Sequence, residues 1–149
     1  MIKKIIVTLL CASWLMANPF NLDQNIGSFS LADQFEKKHT VDNTTKTMIV
    51  SFEKSTSADI NDFLSKKEEG FLAKNNAVFI ADISGMPSLI TKFFALPKMK
   101  DYKYPVLLIY DEEDKRFLHK EEKLTVYKLE NSVITGVEYI EKEDLESVF

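Results

Sequence analysis

The chain has 149 residues, 45% of them hydrophobic, with four glycines and four prolines. That is the size of one domain with room for a core, and the composition excludes collagen-like, low-complexity and disordered classes. Nineteen lysines and arginines stand against 23 aspartates and glutamates, a formal charge of −4, the wrong sign for neutralising phosphates, so nucleic acid is not an expected partner.

The chain opens with MIKKIIVTLLCASWLMA: Lys3 and Lys4, an apolar stretch from Ile5, then Ala17 ahead of Asn18 and Pro19. This is the pattern of an export signal, and its apolar run falls short of the roughly 20 residues a membrane-crossing helix needs. The expectation is cleavage after Ala17, giving residues 1–17 as signal peptide and 18–149 as a periplasmic domain. Leu15 is bulkier than the small residue a cleavage site prefers, which keeps an uncleaved membrane anchor open as the one expected route to a membrane. A lipid-modified Cys11 is disfavoured by Leu10 before it. Cleavage would remove Cys11 and Trp14, the only cysteine and the only tryptophan, so the exported form would have no thiol and would depend on core packing alone.

No repeat and no Pro/Ser-rich linker divides residues 18–149. FSL at 29–31 and KHTV at 38–41, joined by the polar DQFEKK, predict a short hairpin. MIVSF at 48–52 predicts a strand buried on both faces. Thr56 with Asp59 has capping-box spacing, and Ile60, Phe63, Leu64, Phe71 and Leu72 fall on one face of a single helix of about four to five turns. AVFIA at 77–81 predicts a second buried strand ending at Asp82. Pro87 is placed to begin another helix with Leu89, Ile90, Phe93 and Phe94 as its buried stripe and Pro97 as its stop. PVLLIY at 105–110 predicts a third strand, followed by the acidic turn 111–114 and a short amphipathic piece at 115–120. Residues 124–129 and 133–140 alternate around the turn 130–132 as a hairpin, and 143–149 closes the chain as a helix with Leu145, Val148 and Phe149 inward. Strands alternating with helices, then a hairpin and a helix, predict an α/β sandwich with a mixed sheet.

This order resembles a thioredoxin fold in its exported, peroxiredoxin-like form, from about Ile26 to Phe149. Residues 29–35 with 38–41 resemble that family's opening hairpin, with Glu36 in place of the usual glycine. Residues 124–134 with 141–145 resemble its last hairpin and helix. Thr56-Ser57-Ala58, with Tyr104-Pro105 downstream, is similar to the cysteine-less periplasmic YtfJ-type proteins. The resemblance implies a thioredoxin-like three-layer α/β/α sandwich with an N-terminal hairpin and a C-terminal hairpin plus helix. It also implies that the turn after the first core strand is where active relatives carry a thiolate. Here that turn reads Glu53-Lys54-Ser55-Thr56-Ser57-Ala58, and a hydroxyl without an adjacent base is a poor nucleophile. The family's cis-proline has two candidate registers: Pro105 begins the strand before the final hairpin, or Leu124 does and Pro105 opens an inserted strand. The second fits the hairpin and helix directly and leaves Lys123 where the proline would stand.

Ser55, Thr56 and Ser57 read as helix caps, or as donors around an anion or a partner's backbone. Asp82, at a strand's carboxyl end, caps the turn at Ser84 and Gly85, or lines a ligand pocket with Thr56. His39 and His119 sit in separate elements without metal spacing, the 111–114 acids lack a calcium-loop pattern, and no glycine-rich nucleotide motif occurs, so neither metal nor cofactor is expected. Phe94, Met99, Tyr102 and Tyr104 form an aromatic and methionine set that, exposed together, would suit a protein partner. The expectation is an exported, non-enzymatic binding or assembly protein of the cell envelope with a protein partner. The alternatives are a non-thiol enzyme or small-ligand binder using Asp82 and Thr56, and an accessory to a thiol oxidoreductase.

Overall fold

The computed structural model describes residues 19–149, so the expected export signal, its cleavage site and Cys11 lie outside the described residues. β1 (Phe29–Ala32) and β2 (Lys38–Val41) form the expected antiparallel hairpin, Phe29 opposite Val41. β3 (Thr47–Ser51) is buried at every position, as a strand packed on both faces must be. α1 (Lys54–Ser65) and α2 (Phe71–Lys74) lead to β4 (Ala77–Asp82), which pairs in parallel with β3. α3 (Ser88–Ile90), a π-helical turn (Thr91–Ala95) and α4 (Leu96–Met99) lead to β5 (Leu107–Ile109), parallel to β4. After irregular residues 110–123, β6 (Leu124–Glu130) runs antiparallel to β3, β7 (Val133–Ile140) pairs with β6, and a 3₁₀ helix (Lys142–Val148) ends the chain.

The sheet order is β5-β4-β3-β6-β7. Leu124, not Pro105, therefore begins the strand antiparallel to β3, and Pro105 precedes an added edge strand, as the second register expects. No cis peptide bond occurs among the described residues.

Side-chain alternation divides the core in two. Ile49, Phe79, Ala81, Leu108 and Val126 face the side covered by α1, α2 and the 3₁₀ helix, with Ile60, Leu64, Leu72, Leu145 and Val148 above them. Met48, Val50, Ile80, Leu107 and Tyr127 face the other side, where Phe20, Val41 and Phe117 complete the cluster. The third layer is thus supplied by the hairpin and by segments 19–28 and 111–123. The β6–β7 turn is the two-residue kind, with Asn131 and Ser132 at φ 49° and 65°, the left-handed pair that matches strand twist.

Four local expectations are corrected. The single long helix is two: α1 ends at Ser65, capped by Lys66, and after the turn 66–70 the left-handed Gly70, at φ 82°, is the N-cap of α2. α1 begins at Lys54 with Glu53 as its N-cap, so Thr56 and Asp59 form no capping box and the three hydroxyls sit inside the first turn. Pro97 does not stop its helix. It has no N–H for the carbonyl of Phe93, and the π turn just ahead of it lets the helix run on. Most consequentially, the supposed buried stripe faces out: Leu89 is 67% exposed, Ile90 44%, Phe93 61% and Phe94 68%. Thr91, Met86, Leu96 and Met99 make the inward contacts instead.

Candidate functional site

β3 and β4 end side by side, and α1 starts two residues after β3, so its first turn stands over the carboxyl ends of both strands. Ser57 Oγ shares a 2.7 Å hydrogen bond with Ser51 Oγ at the end of β3. Thr56 is buried and its hydroxyl donates back to the Glu53 carbonyl at 3.1 Å, a bond within the helix rather than a cap. Ser55 is exposed.

Glu53 closes the turn, a role that nothing in the sequence pattern singles out. Its carboxylate accepts the Glu122 backbone N–H at 3.2 and 3.0 Å, and His119 Nε2 lies 3.1 Å from Oε1. The His119 ring stacks on Phe52 with centroids 4.3 Å apart. The loop ahead of β6 is thereby clasped onto the α1 N-terminus, where a carboxylate also suits the helix dipole. Glutamate is not among the preferred N-cap residues, and its partner lies 69 residues away, so the sequence carried no signal for this contact.

A groove of about 550 Å³ lies between this turn, the end of β4 and the 88–99 helical run. Ser57 and Asp82 line it together with Phe94, Met99 and Tyr102, so five residues singled out in two separate sets line one groove. Phe52, Asn61, Met86 and Lys98, and Ile90, which the sequence assigned to the core, complete much of the lining. Ser55 stays outside. Thr56 faces a different recess of about 260 Å³ with Asp59, Glu122 and Lys142, so Thr56 and Asp82 do not share a pocket. Tyr104 sits behind the wall, its hydroxyl donating to Asn61 Oδ1, and stacks on Tyr102 at 5.3 Å. Burial, with Tyr102 beside it, holds the Tyr104 hydroxyl well above the usual phenol range, and burial raises Tyr102 as well.

Asp82 adopts the turn role. Its Oδ1 accepts the Ser84 N–H at 3.0 Å and the Ser84 hydroxyl at 2.6 Å. The two histidines are far apart in role: His39 Nε2 pairs with the buried Asp33 at 2.6 Å, and His119 with Glu53. In the acidic turn Asp111 accepts the Glu113 N–H at 2.9 Å.

No protein-family model and no curated protein matches the sequence. Solved structures do. The peroxidoxin BcpB of Mycobacterium tuberculosis is 12% identical, with 86% of this chain and 92% of that one covered at a TM-score of 0.55. The thioredoxin domain of a thiol-disulfide oxidoreductase from Bacteroides vulgatus is 12% identical, with 87% and 99% covered at 0.55. A SCO1/SenC family lipoprotein from Bacillus anthracis is 13% identical, with 83% and 92% covered at 0.50. At such identities the likeness is one of fold, and the fold is thioredoxin-like.

Proposed function

We propose that this chain is an exported, non-enzymatic binding or assembly protein of the cell envelope, and that the groove beside the α1 N-terminus receives a segment of a protein partner. The observation that carries this is that the turn expected to hold a thiolate is instead closed by internal bonds, Ser57 to Ser51 and Glu53 to Glu122, while the space next to it remains an open groove of about 550 Å³. Residues 19–149 contain no cysteine, so the thiol chemistry named in the fold neighbours has no thiol to use within them. An apolar cleft with a few polar groups is the form binding sites take, and Met86, Met99 and the aromatics supply an adaptable lining. The export reading rests on the sequence of the first 17 residues.

The rival reading, a non-thiol enzyme at Asp82 and Thr56, is weakened by the commitment of both side chains to local bonds and by their separation into two recesses. Affinity capture from envelope extract tests the proposal against Ala58→Trp, which fills the groove, and Phe94→Ala, which removes part of its rim. One protein recovered by the wild type and lost by both variants, with unchanged thermal melts, supports it. A partner bound equally by all three, or none at all, contradicts it.

A further inference from the structure

The outward side of the 88–99 helical run belongs to no recess. Leu89 and Phe93 line neither the groove nor the larger open depression of about 630 Å³ beside it, and both are exposed, with Ile90 and Phe94 next to them on the rim. Four large apolar side chains thus protrude within six residues of helix. Lys92, Lys98, Lys100 and Lys103 are all exposed in the same segment, where the one acid between residues 83 and 110 is Asp101. This local cationic stretch sits on a chain whose formal charge is −4. Three carboxylates line the two recesses beside the run, Glu53 and Asp82 in the groove and Glu112 in the depression, and none of them shares a recess with Leu89 or Phe93.

We propose that this ridge docks on an anionic lipid surface, with Leu89, Ile90, Phe93 and Phe94 entering the boundary between headgroups and acyl chains and the four lysines meeting anionic headgroups. A protruding apolar ridge flanked by lysines is the form of a helix that lies in the interface plane. Among the described residues no helix is long and apolar enough to cross a membrane. A concave apolar site would favour a protein segment; the protrusion of Leu89 and Phe93 and the sign of the local charge favour lipid. Ile90, Phe94 and Lys98 also line the groove, but vesicles contain no protein, so binding to them reads the ridge separately from the groove's partner.

The test is hydrogen–deuterium exchange on the full chain with phosphatidylcholine vesicles, with and without phosphatidylglycerol, together with flotation. Slowed exchange across residues 88–100 only when phosphatidylglycerol is present is the expected result. Lys92→Glu with Lys98→Glu should lower vesicle partitioning on the order of tenfold or more, and Leu89→Ser with Phe93→Ser should lower it comparably. All four sites are exposed, and unchanged exchange in the sheet confirms that each variant folds. Exchange at 88–100 that ignores phosphatidylglycerol overturns the proposal, as do double variants that float like the wild type. So does protection that appears without vesicles as protein concentration rises, which would assign the ridge to a second copy of the chain.

Discussion

Asp33 holds the tip of the first hairpin, and its effect on stability follows from the bonds it accepts. Its side chain takes the Phe35 N–H at 2.8 Å, the Lys37 N–H at 3.0 Å and His39 Nε2 at 2.6 Å. Burial pushes its carboxyl up, but the His39 contact and the two backbone bonds together outweigh that and leave it below its ordinary 3.8. Because the folded value lies below the unfolded one, this contribution is complete above about pH 4 and is lost as pH falls through the folded value. Asp33→Ala should cost about 2–4 kcal/mol by urea unfolding at neutral pH, since it leaves two N–H donors without their acceptor. Tyr127 gives the opposite sign. Fully buried, it accepts the Leu118 N–H at 2.7 Å, and burial lifts its hydroxyl from 10.0 to about 12. The neutral phenol is the folded form, so stability is full below pH 10 and lost between about 10 and 12; unfolding in urea across that range should fall less steeply for Tyr127→Phe than for the wild type. Neither partnership was legible in the sequence, because Asp33 and Tyr127 look there like a turn residue and a strand residue, and their bonding depends on loops folding back.

At the scale of elements, period identified the strands, while helix continuity and facing were read less well. The runs at 48–52, 77–81, 124–129 and 133–140 became strands because alternation and continuous apolarity determine burial directly. Gly70 was unremarkable in sequence, yet its left-handed φ closes the turn 66–70 that separates α1 from α2. Gly70→Ala should cost about 1 kcal/mol, whereas Gly85→Ala, with no positive φ and open space around it, should be neutral or add up to about 1 kcal/mol. Parallel thermal melts of the two variants check this. The 88–99 run shows why facing failed: a stripe at 89, 90, 93 and 94 has helical spacing whichever way it points, and periodicity cannot say whether the core lies on its apolar side. The aromatic and methionine set Phe94, Met99, Tyr102 and Tyr104 was the usable clue to exposure; three of its members line the groove with Ser57 and Asp82, and Tyr104 does not.

Across the whole molecule, the order of strands and helices carried the topology, because a parallel β3–β4 pair with an antiparallel β6–β7 hairpin leaves few arrangements. The groove was beyond reach, since it arises where α1, β4 and the π-bulged helix meet and no single segment encodes it. The proposal to be tested is that this thioredoxin-like scaffold binds through that groove, beside a turn closed by its own bonds. The most direct measurement is photo-crosslinking in cells from a reactive residue placed in turn at Phe94, at Lys98 and at Tyr139 on β7. The same discrete protein adduct from Phe94 and Lys98, absent from Tyr139, is the predicted result. An adduct of equal yield from all three positions, or from none, would contradict it.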